Sequence, residues 1–519
     1  GGNVSVGGNL SVGGSLTQPI VNATTEYQIG GQRVFRLAPF NTTIIGLNAG
    51  VNTSNGGNSF FGAESGMLTT TGVDNSYFGR SAGMSGTTNI NNSFFGVDAG
   101  RNNTANFNSF FGRSSGLVNT TGGNNSFFGF NSGRFNTTGE GNSFFGDGSG
   151  FSNSGGSRNS FFGQLAGSSN VSGGDNSFFG TFAGLANVSG INNSFFGVDA
   201  GRSNTASGNS FFGKSAGFGN TTGTDNTFVG TTAGQSNVSG SRSSFFGFEA
   251  GFSATAANSN SFFGYRSGRL TTSGLNAFFG NSTGASNTTG NSNAFFGAAA
   301  GLNNITGSFN SFFGLGSGAG NISGQHNSFF GTNTGGANST GESNSFFGFQ
   351  TGIGNTTADN NSFFGRGAGF STTTGASNVF VGANTGNAND TGAGNVFVGA
   401  FTGQANTIGA NNTLVGFVAN LGANNLNFAT ALGSGSTVNA NNTVVLGRTA
   451  DTVRIPGNLN LTGSFTGNFT VPAANITGVL GAANGGTNLS SPGASGNFLR
   501  SNGSTWTSSP FTVADIPNG

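Results

Sequence analysis

Residues 125–141 read NSFFGFNSGRFNTTGEG, and this stretch decides the fold because the chain repeats it along most of its length. Each copy opens with Asn-Ser-Phe-Phe-Gly. A small residue and a second glycine follow, and the copy then carries Asn-x-Thr/Ser-Gly. The step between copies is 17 residues, occasionally 16, and 25 copies run from Gly46 to Gly447. Such a fixed period is typical of a solenoid built from one repeated unit.

A unit of this length is too short for a pair of helices and suits one coil of a β-solenoid. Glycines every four to six residues predict corners with positive φ or close backbone packing. Ser-Phe-Phe predicts a short strand, and coils stacked in parallel about 4.8 Å apart place identical residues in ladders. The sequence therefore predicts an all-β fold, a parallel β-solenoid or β-roll of 17-residue coils. At that rise, the 25 copies make a rod roughly 120 Å long.

The paired phenylalanines indicate how the coil packs. Adjacent strand residues point to opposite faces, so one ring fills the interior of the coil and the other points outward. A long uncovered stripe of rings exceeds the apolar patch that a soluble monomer tolerates. The sequence thus predicts a homo-oligomer of parallel coils, with a trimer around an axis expected; the alternative is one wide solenoid that buries both rings through a kinked strand. The pairs assigned to core and interface are Phe127 with Phe128, Phe178 with Phe179, and Phe329 with Phe330.

The flanks differ from the repeat, which predicts three segments. Residues 1–39 form an N-terminal β-stalk, cap or docking segment, residues 40–448 form the solenoid, and residues 449–519 form a C-terminal β-stalk or docking segment. Residues 26–37 indicate a hairpin with a Gly-Gly turn. Solenoid ends need caps because an open end is an unpaired strand edge, and head-to-tail joining of copies is the alternative use of the same ends. The start at Gly1, without a signal peptide, is expected of a processed chain.

Composition excludes several classes of protein. Of 519 residues, 100 are glycine and 58 are phenylalanine, while 16 are basic, 15 are acidic and none is cysteine. The chain has no thiol for a disulfide or a thiolate zinc site. A net charge of +1 gives no electrostatic footprint for nucleic acid, and no apolar run is long enough for a membrane helix. The aromatic content argues against disorder.

Residues for catalysis are sparse, and the sequence predicts no enzyme, no cofactor and no metal. His326 is the only histidine and is expected to be an ordinary surface residue. Asp98 with Arg101, and Asp199 with Arg202, occupy equivalent positions and are expected to form surface ion pairs. A glycosidase needs two carboxylates roughly 5–10 Å apart. The carboxylates that a ladder could bring together for this are Glu140, Asp147 and Glu249.

The Asn-x-Thr/Ser element has two interpretations. It fits the N-glycosylation acceptor pattern, so a row of sugars along one edge is one hypothesis. The other is that asparagine tolerates left-handed corners and that its amides form hydrogen-bonded ladders. The acceptor positions include Asn119, Asn136, Asn187, Asn220, Asn287 and Asn355.

Asn-Ser-x-x-Gly followed by Ala-Gly resembles the head repeats of YadA-type trimeric adhesins, although their unit is shorter and carries Val-Ala-Ile in place of Phe-Phe. The repeat is also similar to that of bacterial and phage tail-fibre proteins, as is SSPGASGNFLRSNGSTWTSS at residues 490–509. Such fibres often end in an endosialidase-type chaperone that trimerises the chain and cuts itself off, and the sequence carries no such domain.

The repeat and this resemblance lead to one expected function and several rivals. The expectation is an extracellular structural fibre whose partner is itself, with no membrane insertion. The first alternative is an adhesin or tail fibre that binds a cell-surface receptor or glycan. Ice binding ranks lower because the threonines do not form a flat Thr-x-Thr face.

Overall fold

A computed structural model describes residues 26–29, 32–38, 41–457, 460, 462–463, 497–501, 506–510 and 512–515. These residues form strands and turns with a single 3-10 helix, Val513–Asp515, and no α-helix. The strands are β1 Glu26–Ile29, β2 Gln32–Ala38, β3 Thr42–Ile45, β4 Ser59–Phe61, β5 Ser76–Phe78, β6 Ser93–Phe95, β7 Ser109–Phe111, β8 Ser126–Phe128, β9 Ser143–Phe145, β10 Ser160–Phe162, β11 Ser177–Phe179, β12 Ser194–Phe196, β13 Ser210–Phe212, β14 Thr227–Val229, β15 Ser244–Phe246, β16 Ser261–Phe263, β17 Ala277–Phe279, β18 Ala294–Phe296, β19 Ser311–Phe313, β20 Ser328–Phe330, β21 Ser345–Phe347, β22 Ser362–Phe364, β23 Val379–Val381, β24 Val396–Val398, β25 Thr413–Val415, β26 Asn420–Leu421, β27 Thr430–Leu432, β28 Thr437–Val438, β29 Val444–Leu446, β30 Asn497–Ser501 and β31 Trp506–Pro510.

The repeats stack into one long parallel ladder. The main sheet has 27 strands, of which all but β1 and β2 pair in parallel with a neighbouring copy of the repeat. The register is one whole repeat, since Ser126 pairs with Ser143, and Phe127 pairs with Phe144. Identical residues therefore lie directly above one another. The predicted all-β parallel solenoid of 17-residue coils is confirmed.

Each three-residue strand has one inward and two outward side chains. In β8, Phe127 is fully buried, whereas Ser126 and Phe128 are partly exposed on the other face. The strand alternates as an extended chain should, so the alternative in which a kinked strand buries both rings is wrong. The inward rings stack along the core, with 4.8 Å between the ring centroids of Phe127 and Phe144.

Four left-handed or glycine-only positions close each coil. Around β8 they are Asn124 (φ 59°), Gly129 (φ 141°), Asn131 (φ 56°) and Gly133 (φ 57°). A Cβ on Gly133 would lie 2.5 Å from Cδ2 of Phe127, so only glycine lets the corner touch the core ring. The two glycine corners are as predicted. The other two were not predicted, because the repeat fills them with many residue types, including bulky ones such as Leu275 (φ 63°).

A hairpin covers the first coil. Strands β1 and β2 pair antiparallel, as predicted, and the two glycines between them lie outside the described residues. Strand β2 also pairs antiparallel with β3, with Phe35 opposite Ile45, so the hairpin continues the sheet. The edge of the first parallel strand is thereby paired instead of open. Residues 1–25 of the predicted N-terminal segment lie outside the described residues.

The chain divides into two compact units, residues 1–452 and 453–519. The first holds the hairpin and the solenoid. In the second unit, β30 and β31 form an antiparallel hairpin in which Ser501 pairs with Trp506. Most of residues 458–496, part of the predicted C-terminal stalk, lie outside the described residues.

Candidate assembly surface

The outer face of the parallel sheet presents two straight rows of side chains from β4 to β22. The serine row consists of the first residue of each strand, which is serine except for Thr227, Ala277 and Ala294. The phenylalanine row consists of the third residue, which is phenylalanine except for Val229. Neither row contains a charged residue. Because both rows repeat in parallel register, the face alternates a ridge of rings with a strip of small side chains.

The rings of the phenylalanine row stack on one another. The ring centroids of Phe128 and Phe145 lie 4.6 Å apart with planes 5° from parallel, and the other ring pairs of this row are similar. Stacking half-buries the rings, and Phe212 and Phe364 are the most open at 38% and 40% exposure. Of the six predicted core and interface residues, the structure places Phe127, Phe178 and Phe329 inside the coil. It places Phe128, Phe179 and Phe330 in the outer row.

The asparagines of the Asn-x-Thr/Ser element point into the coil. Nδ2 of Asn136 donates to Oδ1 of Asn119 in the preceding coil at 2.5 Å and to the carbonyl of Gly139 at 2.9 Å. A glycan is attached to this same nitrogen, so it would displace both bonds and find no space in the coil. The amide-ladder interpretation therefore describes the folded solenoid, and the glycosylation hypothesis is wrong for it. The positions concerned are all fully buried: Asn119, Asn136, Asn187, Asn220, Asn287 and Asn355.

A second buried ladder follows the asparagine that precedes each strand. Oδ1 of Asn125 accepts the backbone N–H of Asn142 at 2.9 Å, and Nδ2 of Asn125 donates to the carbonyl of Gly139 at 2.9 Å. The sequence repeats this asparagine before each strand, but it did not indicate that its side chain points into the coil. Two amide ladders and one ring stack thus fill most coils, and the ladders satisfy most of the polar groups in this narrow core. The amide ladder of the Asn-x-Thr/Ser element has breaks, where Oδ1 of Asn187 and Oδ1 of Asn355 lack a hydrogen-bond partner.

Charged side chains lie in two rows that flank the outer face. The leading corner row comprises the two residues before the asparagine of each strand, residues 123 and 124 for β8. The trailing corner row comprises the first, second and fifth residues after the glycine that closes each strand, residues 130, 131 and 134 for β8. The predicted ion pairs lie in the trailing row: Arg101 to Asp98 at 3.8 Å and Arg202 to Asp199 at 3.1 Å.

The carboxylate of Glu249, in the trailing corner row, is held by two arginines. Oε2 of Glu249 accepts from Nε of Arg266 at 2.8 Å and from Nε of Arg269 at 2.7 Å. Burial acts to raise the pKa of this carboxyl, but the hydrogen bonds and charges of the two arginines outweigh it and hold the pKa below its usual value. Both hydrogen bonds join Glu249 to arginines of the next coil.

His326 lies at a left-handed corner (φ 57°) of the leading corner row. Its ring stacks on Phe309 of the preceding coil, with 5.2 Å between the ring centroids. It is exposed and stacked, as expected of a surface residue. Within the described ranges, no three histidine, aspartate or glutamate side chains lie close enough together to hold a metal ion.

None of the helical structure in the described part of the chain is long and apolar enough to cross a membrane. No protein-family model matches this sequence, and no curated protein matches it either. The surface itself must therefore carry the functional argument: one uncharged aromatic face, flanked by two charged rows, on a long solenoid.

Proposed function

We propose that the chain is an extracellular structural fibre: a rigid solenoid that associates with further copies of itself and works as a filament subunit or stalk. The observation that carries this proposal is the unbroken parallel register of the solenoid. A rod in which every strand pairs with its neighbours and every core ring stacks on the next resists bending along its whole length. A repeat that keeps one register throughout makes a long and stiff rod. A site for a specific ligand would instead require that a few coils differ from the others.

Self-association is supported by the phenylalanine row. If a half-buried ring leaves about 50 Å² of its roughly 200 Å² open, the row from β4 to β22 offers roughly 1,000 Å², above the ~800 Å² per partner of a standard interface. A patch of this size marks an interaction surface. The partner is a second copy of the chain, and the expected assembly is a trimer around an axis parallel to the rod.

The two ends support a further step, joining of copies head to tail. Strand β1 pairs only with β2 among the described strands, and β29 pairs only with β27. Val444 and Leu446 of β29 are 64% and 47% exposed. A β1 edge that pairs with the β29 edge of the next copy would continue the sheet from subunit to subunit.

A second candidate function is that of an adhesin or tail fibre that binds a receptor or glycan. It is favoured by the varied corner side chains between β15 and β17, where Arg266 lies over the ring of Tyr265 at 4.9 Å beside Glu249. Exposed guanidinium and aromatic groups of this kind suit an anionic sugar. The fibre is favoured because these departures from the repeat are few.

The test is electron microscopy of the native protein with two matched variant sets. Wild type is expected to form bundled rods or filaments whose subunit solenoid is roughly 120 Å long. Phe128→Ser with the equivalent change in three neighbouring coils removes outward rings and should give single rods. Phe127→Ser with its equivalents removes core rings and should unfold those coils. Wild type that stays as single rods at all concentrations contradicts self-association.

A further inference from the structure

The two corner rows that flank the phenylalanine row carry opposite net charge. From β4 to β22 the leading corner row holds six carboxylates and two arginines, which is a net charge of −4. The trailing corner row holds nine cations and five carboxylates, which is a net charge of +4. These side chains are exposed or half-buried. The leading row contains Asp74, Glu140, Arg158, Asp175, Asp225, Arg242, Glu342 and Asp359; the trailing row contains Glu64, Arg80, Asp98, Arg101, Arg113, Arg134, Asp147, Asp199, Arg202, Lys214, Glu249, Arg266, Arg269 and Arg366.

Pairing within each row leaves this contrast in place. In the trailing row, three carboxylates are already matched by arginines of the same row: Asp98, Asp199 and Glu249. Arg80, Arg113, Lys214 and Arg366 lie outside those pairs and are exposed. In the leading row, Arg158 binds Asp175 at 2.6 Å, which leaves carboxylates in excess. The excess charge of each row therefore faces outward along the solenoid.

We infer that this charge asymmetry makes copies associate in parallel, with the leading corner row of one copy against the trailing corner row of the next. The inference rests on the self-association proposed above. When a second rod is placed parallel to the first with the two outer faces opposed, a two-fold axis parallel to the rods relates them. This rotation places the acidic leading row of each rod against the basic trailing row of the other. An antiparallel rod with its face opposed places acidic against acidic and basic against basic.

The uncharged rows favour the same arrangement. In a parallel pair the phenylalanine row of one copy lies over the serine row of its partner, so rings meet small side chains. In an antiparallel pair, rings meet rings and serines meet serines, which leaves a gap along the strip. Any cyclic assembly about the rod axis, including a trimer, brings a leading corner row to a trailing corner row at each junction. The rows fix orientation more than affinity, because exposed charges are screened and each contributes little.

Site-specific distance measurement distinguishes the two orientations. The chain has no cysteine, so Asn91→Cys and Asn360→Cys each provide one labelling site. Both are exposed asparagines of the leading corner row, with φ of 56° and 59°. They lie sixteen coils apart, which is roughly 75 Å at the spacing of parallel strands.

Parallel association predicts spin-label distances of about 20–40 Å within assemblies of each variant alone. Distances that are short only in mixtures of the two variants mean antiparallel association and overturn the inference while leaving the fibre intact. If wild type does not associate at all, the proposed function itself fails. Failure of the parallel arrangement and failure of self-association therefore give different results.

Charge exchange supplies the second measurement. One variant carries Asp74→Lys, Glu140→Lys and Glu342→Lys, and the other carries Arg80→Glu, Arg113→Glu and Arg366→Glu. Each alone should associate about ten-fold more slowly than wild type at low salt, and an equal mixture should associate several-fold faster than either variant alone, because contacts between unlike variants again bring opposite charges together. Added salt near 1 M should remove the differences.

A matched control places the same three lysines elsewhere on the solenoid, as Thr138→Lys, Ser172→Lys and Thr340→Lys on exposed turns outside both corner rows. This control should associate like wild type. A mixture of the two reversed variants that associates no faster than either alone contradicts acidic-to-basic contact.

Discussion

At the scale of single residues, the solenoid depends on backbone corners that differ in how much substitution they tolerate. A left-handed φ costs an ordinary residue about 1–2 kcal/mol, yet every coil uses several such corners. Where a corner also touches the core ring, only glycine fits. Where it faces solvent, the repeat accepts arginine, leucine or histidine. The residue types that a corner accepts therefore depend on which atoms lie within 3 Å of the position that a Cβ would occupy.

Gly133→Ala is expected to destabilise its coil by at least about 2 kcal/mol, because the methyl group meets the ring of Phe127 and φ is left-handed. Gly155→Ala is the control, since its Cβ would have only Thr138 Oγ1 near it, at 3.5 Å. Hydrogen exchange of β8 and β9 measures the difference. Equal protection in the two variants would show that the corner does not require glycine.

Asn136→Ala should cost about 2–4 kcal/mol of local stability, because it leaves Oδ1 of Asn119 and Nδ2 of Asn153 without their ladder partners. Thr138→Ala, two residues away and exposed, should change the stability by less than about 0.5 kcal/mol. Urea unfolding followed by hydrogen exchange in neighbouring coils checks both. An Asn136→Ala variant that keeps wild-type protection contradicts the buried ladder.

At the scale of elements, the three-residue strand explains which predictions succeeded. Alternation along Ser-Phe-Phe was sufficient to place one ring inside and one outside, because backbone geometry leaves no other choice once the strand is straight. The direction of the Asn-x-Thr asparagines was left open by the sequence. The sequence Asn-x-Thr/Ser is the same whether the asparagine is an exposed glycosylation acceptor or points its amide into the coil. Which of the two occurs depends on the turn that precedes Gly139.

The glycine corners were also predictable, since few other residues adopt those angles. The corner charges could have been found by aligning every charged residue to the glycine of its repeat, because the two rows differ only in that offset. The total charge of the chain does not reveal the two rows, because their opposite net charges cancel.

Acid should weaken the coils around β15 to β17 more in wild type than in Glu249→Gln. Because Arg266 and Arg269 hold the pKa of Glu249 below its usual value, the carboxylate stabilises the fold above a pH of about 4.3. That contribution is lost as the pH falls through the lowered pKa. Urea midpoints for these coils at pH 6 and pH 3, read by hydrogen exchange, should fall less in the variant. An equal fall would mean that the two arginines do not stabilise this anion.

At the scale of the whole solenoid, stability is a sum of coils and of contacts between neighbouring coils. Each coil bonds only to the coil before it and the coil after it, as the parallel register shows. A local change is therefore felt locally, and the length of the solenoid is free to vary in whole coils.

Deletion of residues 126–142, one complete repeat, should leave a folded solenoid that is shorter by about 4.8 Å. Every remaining strand then still meets a strand in the same register. Deletion of residues 126–133, about half a repeat, should disrupt the coils on both sides. Circular dichroism and small-angle scattering of the two proteins provide the comparison. Equal folding of both would contradict a register of whole repeats.

The sameness of the coils also creates a difficulty during synthesis. A strand such as β12 fits the edge of β11, but it fits the edge of almost any other coil nearly as well, so a growing chain can slip by one repeat and strand a loop of 17 residues. Local contacts alone do not correct such an error. The hairpin of β1 and β2 differs from every repeat and pairs only with β3 within the solenoid ladder. The hairpin therefore fixes which repeat forms the first coil. A chain that adds coils in order from this first coil, as it leaves the ribosome, has only one open strand edge at a time, so the next strand has only one place to pair.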